Sequence, residues 1–229
     1  MIEIEVARKY KLFWANKIIE REELHGCYIY EPELPYEPFL TISRKLVQLN
    51  DYIFSQLCAN YQQALAAKEN LESLNANPNA WCLSCEMAEK KVQDWDYNVS
   101  VFSIATPIFL ISSFIEWSLS ELLAVYSGSP KIRSQRGESK IEAMLDSLSD
   151  SNDLEMQIPL EFKLKLNKFR RCRNDFAHGE WSKLSALNDI DIYEYIVCTS
   201  TLFSMLDNKL KYKERRPKYN SPKSASSHR

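Results

Sequence analysis

Apolar residues recur along this chain at intervals of three and four rather than two. Between residues 4 and 24, Val6, Tyr10, Phe13, Trp14 and Ile18 keep that spacing, which predicts an amphipathic helix. Gly26 and the three prolines of HGCYIYEPELPYEP then break the pattern. A longer stripe of Leu46, Leu49, Ile53, Leu57, Tyr61 and Leu65 predicts a second, long helix over residues 39–74, ended by NANPNA. Residues 81–97 are polar and aromatic and read as a short helix or a structured loop. The apolar run VFSIATPIFLISSFI continues through EWSLSELLAVYSG to Gly128 and predicts a third long helix, which Pro107 kinks or starts.

After the connection SGSPKIRSQRGES, Ser139 and Glu142 in SKIE have the spacing of a capping box that opens a short helix ending near Leu148. SDSNDLEMQIP is a second joint. From Pro159, a good first-turn residue, PLEFKLKLNKFRRCRNDFAHG predicts a fourth main helix that stops at Gly179. A last helix, about residues 189–211, carries Ile192, Ile196, Leu202 and Leu206. Residues 213–229 hold Pro, Ser and charge with almost nothing to bury, and are expected to be a basic, disordered tail. The expected fold is an all-α bundle of four to five main helices in one domain, residues 1–212, with its core at about 40–210 and the helix at 4–24 packed on it.

Composition narrows this little. With 45% apolar and 26% charged residues over 229 positions the chain reads as an ordinary globular protein, and four glycines beside nine prolines argue against a many-turned β architecture. Charge is more informative. The net charge is −2, yet residues 209–229 hold eight basic side chains and one acidic one, so the body before them is acidic by nine charges. The first residues, MIEIEVARKYKLFW, have acidic side chains where a signal peptide wants basic ones. The run from Val101 to Ile115 is too short to span a bilayer before Glu116 interrupts it, which predicts a buried core helix and no membrane. Six cysteines in such a chain imply reduced thiols in a cytoplasm. Cys82 and Cys85 in CLSC have ligand spacing, and His25 with Cys27 would complete a zinc-stapled scaffold; small buried hydrophobes are the plainer reading.

Chemistry gathers in FRRCRNDFAHGEW, residues 169–181, which holds one of only three histidines. At 100° per residue, Arg173 falls in one arc with Phe162, Leu166, Phe169 and Phe176. A guanidinium on an apolar stripe needs a carboxylate, carbonyls or an anion. His178 is five positions on, nearly opposite on a continued helix; a left-handed Gly179 would let it turn back toward Arg173. An imidazole that moves protons near neutral pH and a guanidinium that grips a phosphate together suit attack of a ribose 2′-hydroxyl on its own phosphodiester, for which no metal is needed. The plainer alternative is a buried arginine bonded to carbonyls beside a C-capping histidine.

RNDFAHG at the end of a helix in an all-α chain resembles the signature of the HEPN superfamily, in which an Arg followed by a polar residue is separated from a His by four to six positions. Arg173, Asn174 and His178 match it, and SSFIEWSLSELL, with Glu116 in its middle, is similar to the helix that such proteins pack against the motif helix. The resemblance implies a metal-independent endoribonuclease, without cofactor, that dimerises so that two Arg/His sets face one RNA cleft. His178 would be general base or acid, Arg173 the clamp on the scissile phosphate, Asn174 an orienting hydrogen-bonder and Glu116 a support. Many relatives look like toxins or phage-defence effectors, which implies an antitoxin or activating protein as partner. An acidic body opposes RNA, but KLKLNKFRRCR supplies Lys163, Lys165, Lys168, Arg170 and Arg171 locally, of which Lys168, Arg170 and Arg171 are the candidate RNA contacts. The competing expectation keeps the fold and dimer without turnover: a module that binds a nucleotide, RNA or a partner protein.

Overall fold

The computed structural model describes residues 2–14, 29–34, 36–77, 79, 81–127, 139–151 and 159–214. His25 and Cys27 of the zinc reading, Ile18 of the first stripe and the tail from residue 215 onward lie outside the described residues. Regular structure among the described residues is helical throughout, as the spacing of apolar positions requires.

Helix α1, Ile2–Tyr10, buries Val6, Ala7 and Tyr10. The helix expected over residues 4–24 does not run on through residues 11–14, because Lys11 takes a left-handed φ of 54°, which ends α1; residues 15–24 lie outside the described residues. Phe13 and Trp14 follow in irregular chain, half-buried: Asn50 donates to the Phe13 carbonyl at 2.9 Å, and Trp14 sets its ring edge-on to Phe54 at 5.3 Å.

Helix α2, Phe39–Asn75, ends within a residue of the expected position. Its first half sinks Ile42, Leu46, Ile53 and Phe54 into the main core, whereas its second half buries only Ala64 and Ala67. The partner of that second half is α3, Cys82–Tyr97, which settles the choice left open there in favour of helix and buries only Ala88. The two form a hairpin joined along small side chains, with Trp81, Leu83 and Met87 exposed near its tip.

Chain direction does not break after α3. A π-helical turn, Asn98–Phe102, carries it straight into α4, Ser103–Tyr126, so Pro107 lies inside a helix already under way rather than at its start. Its ring removes one donor, the N–H that would have bonded the Ser103 carbonyl. Ile104, Ile108, Ile111, Ile115, Leu119 and Leu122 form a fully buried stripe on α4. Among the described residues Cys82–Tyr126 is the stretch long and apolar enough to cross a membrane, and 56% of its most apolar window is buried within the bundle. α4 therefore packs as the central core helix, against α2 and the three helices that follow.

Helix α5, Lys140–Ser151, opens on the expected capping box: the Glu142 N–H donates to Ser139 Oγ at 3.1 Å, and the Ser139 N–H donates to Glu142 Oε2 at 3.3 Å. Helix α6, Leu160–Ala177, begins after Pro159, and a 3-10 turn, Trp181–Ala186, leads to α7, Asp191–Glu214. α7 buries Ile192, Tyr195, Ile196, Leu202, Phe203 and Leu206, with Tyr195 stacked on Phe169 of α6 at 4.1 Å. Asp207, also on α7, accepts from the hydroxyls of Tyr30 at 2.7 Å and Tyr36 at 2.6 Å, which fastens the chain ahead of α2 to the bundle.

Candidate functional site

α4 and α6 pack side by side, and the pattern of each decides what meets between them. Phe109, Ser112 and Glu116 stand at i, i+3 and i+7 and so share one face of α4; Arg170, Arg173 and Phe176 repeat every third residue on α6. The two faces meet. Arg173 Nη2 lies 3.6 Å from Glu116 Oε1, its guanidinium carbon is 5.7 Å from the centre of the Phe109 ring, and Phe109 in turn tilts against Phe176 at 6.2 Å. The guanidinium predicted to face the apolar stripe thus finds a carboxylate at the edge of that stripe. Asn174 Oδ1 receives a long 3.5 Å contact from Arg173 Nη1.

These groups border a cleft of about 110 Å³ between α4, α5 and α6. Its α4 wall is Ser112 and Glu116, its α6 wall Arg170, Arg173 and Asn174, and its floor the start of α5, Ser139 to Ile141. Lys140 Nζ reaches Glu116 Oε2 at 2.8 Å, so this one carboxylate is shared by two cations. The Nε atoms of both Arg170 and Arg173 are buried without a hydrogen-bond partner. Behind the wall, Ser112 Oγ donates to the Ile108 carbonyl at 2.8 Å and lies 2.8 Å from the Tyr195 hydroxyl. Burial raises the Tyr195 pKa well above the usual phenol range, so the ring remains neutral and the Ser112 oxygen stays fixed.

His178 is the residue at which α6 ends. Its N–H bonds the Asn174 carbonyl at 2.9 Å, Gly179 takes a φ of +75°, the Gly179 N–H reaches the Phe176 carbonyl at 3.1 Å and the Glu180 N–H the Asp175 carbonyl at 2.8 Å. That is a Schellman ending with glycine in its left-handed position, as the sequence called for. The imidazole is exposed and is not among the residues lining the cleft; within one chain Arg173 and Asn174 occupy the wall of the cleft and His178 the helix exit beside it. Glu180 stands near it, its carboxyl held below the ordinary value by a hydrogen bond from Lys183 and then by that lysine's charge. Trp181 closes the exit, edge-on to Phe102 at 4.9 Å with its indole N–H donating to the Phe176 carbonyl at 3.3 Å.

The three candidate RNA contacts separate. Arg170 lines the cleft. Lys168 and Arg171 lie along a different groove, of about 300 Å³, with Leu164, Asn167, Cys172 and Lys183. Lys168 there is ion-paired to Asp191, a carboxylate only 1% exposed that also caps α7 by accepting from the Asn188 N–H at 2.9 Å. Sequence reasoning missed Ser112, Ser139 and Lys140 as parts of the cleft. The capping box marked where α5 begins, but nothing local in SKIE says which helices its first turn will face. No three His, Cys, Asp or Glu side chains converge among the described residues; Cys82 is exposed on the first turn of α3, with its Sγ 3.6 Å from Glu86 Oε1. Compared with known proteins, the chain matches no family model, no curated protein and no solved structure.

Proposed function

We propose that this chain is a metal-independent endoribonuclease of the HEPN kind, acting as a homodimer in the cytoplasm as a toxin or phage-defence effector under the control of a partner protein. The observation that carries the reading is the setting of Arg173. Its guanidinium is pinned by Glu116 and backed by Phe109 at the edge of a cleft, with Nε unbonded, and an exposed imidazole stands at the end of the same helix. Such a guanidinium is pre-organised to hold a phosphoryl group in the plane of its donors.

In the reaction the 2′ oxygen of the ribose bonds to phosphorus as the bond from phosphorus to the 5′ oxygen breaks. His178 of one subunit takes the 2′ proton, the histidine of the other subunit delivers a proton to the departing 5′ oxygen, and a 2′,3′-cyclic phosphate and a 5′-hydroxyl result. Arg173 offsets the charge that builds on the phosphoryl oxygens, and Asn174 orients it. Because one chain keeps His178 outside the cleft, a second copy is what would bring an imidazole to face Arg173.

That same separation favours a second reading, a non-catalytic module that binds a nucleotide, RNA or a partner protein through the cleft alone. Incubating single-stranded RNA with the protein in EDTA, beside His178→Ala and Arg173→Ala, discriminates between them. Cyclic-phosphate ends made by the wild type and lost in both folded variants are expected; RNA left intact by all three proteins refutes the enzyme and leaves the module.

A further inference from the structure

The cleft holds more positive charge than the grip on a single scissile phosphodiester uses. Lys140, Arg170 and Arg173 face one carboxylate, Glu116, which leaves a formal charge of +2 around about 110 Å³, room for roughly three or four waters or one tetrahedral oxyanion. Glu116 is shared by Arg173 at 3.6 Å and Lys140 at 2.8 Å and neutralises only one of the two, and Arg170 adds a charge that no carboxylate lining the cleft meets. Arg170 has no ion-pair partner among the described residues, and its Nε is buried without a hydrogen bond, a cost that an anion in the cleft would offset. Lys140 and Ile141 line the cleft from the first turn of α5, where the capping box engages the N–H groups of Ser139 and Glu142 and theirs have no partner within the helix.

A phosphodiester carries one negative charge; a phosphate monoester carries close to two at neutral pH. We propose that the cleft between α4, α5 and α6 is a pocket for a dianionic phosphate monoester, the terminal phosphate of an RNA strand, held by Arg170, Lys140 and the first turn of α5. Arg173, on the next turn of α6 from Arg170, is left for the adjoining phosphodiester. The site then selects strands by their ends, and takes cut or processed RNA in preference to internal sequence. The assignment rests on the ribonuclease reading only for the nature of the strand.

The test is a titration of the full chain with a 2′-O-methyl RNA hexamer, which cannot be cleaved because its 2′ oxygen carries no proton. The hexamer is presented with hydroxyl ends, with a 5′-phosphate or with a 3′-phosphate, and inorganic phosphate and adenosine monophosphate are titrated alone. One of the phosphorylated hexamers is expected to bind about tenfold tighter than the hydroxyl form, a gain that shrinks to less than about twofold in Arg170→Gln and in Lys140→Gln. Both variants are expected to keep the wild-type thermal midpoint and to lose much less affinity for the hydroxyl form than for the phosphorylated one. The gain is also expected to fade as pH is lowered through about 6, where the monoester takes up its second proton.

Equal binding of all three hexamers, or an unchanged gain in both variants, overturns the pocket. Equal loss for every hexamer in Arg170→Gln overturns it too, since Arg170 then holds the diester. Inorganic phosphate or adenosine monophosphate binding as tightly as the phosphorylated strand overturns the strand as its occupant. A gain of the expected form alongside RNA left intact in EDTA upholds the pocket and refutes the ribonuclease; cleavage without any gain does the reverse.

Discussion

Arg173 and Glu116 approach to 3.6 Å from neighbouring helices, and Lys140 shares the same carboxylate from a third. Replacing Glu116 by glutamine keeps the shape and removes the charge. On the ribonuclease reading the cleavage rate constant is expected to fall about tenfold as Arg173 loses its fixed orientation, while RNA binds more tightly and the slope of log K against log salt steepens by about one. Cleavage kinetics at several salt concentrations measure both, and an unchanged rate with an unchanged slope would remove Glu116 from the site.

Gly179 tests the helix exit. A Cβ there would meet nothing within 4 Å, so the penalty of Gly179→Ala comes from its φ of +75° alone, about 1–2 kcal/mol. Thermal unfolding should register that loss, and Gly179→Asn should recover part of it because asparagine tolerates the left-handed region. Activity should drop further than stability does, since the turn sets the direction of His178. A variant as stable as the wild type would show that the turn can be made another way.

Much of this was legible in the chain beforehand. The stripe of α2, the capping box of α5, the proline before α6 and the glycine after it are each written in a few adjacent residues, and each stands where the spacing put it. Arg173 was legible as a core-facing arginine because a helical wheel needs only one helix. Its partner could be suggested only by likeness, since pairing Glu116 with Arg173 requires knowing that α4 lies beside α6. Two signals misled or fell silent for physical reasons. The stripe that begins at Val6 continues past Tyr10 in sequence but not in space, because backbone geometry at Lys11 ends the helix whatever the side chains favour. Asp207 gave no sign that Tyr30 and Tyr36, more than 170 positions away, would close over it.

Lys168 and Arg171 differ in what surrounds them. Lys168→Met strands the buried carboxylate of Asp191 and is expected to destabilise the fold by about 3 kcal/mol, with part recovered in Lys168→Met/Asp191→Asn. Arg171, exposed, should cost less than about 0.5 kcal/mol as glutamine and show its effect in RNA affinity instead. Denaturant melts beside binding curves separate the two; a Lys168 variant of normal stability would mean that Asp191 does not need its lysine.

Stability should decline on the alkaline side. Burial pushes the Cys198 thiol up from 9.0 to about 12 and raises the Tyr10 and Tyr195 hydroxyls above their ordinary 10.0. Each group keeps its proton to higher pH in the folded chain than in the unfolded one, so its contribution is complete below the unfolded value and is lost as pH rises above it. The thermal midpoint should therefore start to fall near pH 9, first through Cys198 and then, above about 10, through the tyrosines. Cys198→Ala should delay the onset by about one pH unit; a fall parallel to that of the wild type would assign it to other groups.

The π-helical turn at Asn98–Phe102 joins α3 to α4 within one unbroken rod. Such a turn accommodates one residue more than an α-helix of the same rise. Winding that residue into a regular α-helix instead would turn everything beyond it by about 100° relative to α3. The alanine seam of the hairpin and the carboxylate of Glu116 could then no longer both meet their partners, so the phase between the arm that projects from the bundle and the cleft at its side is set by a single surplus residue.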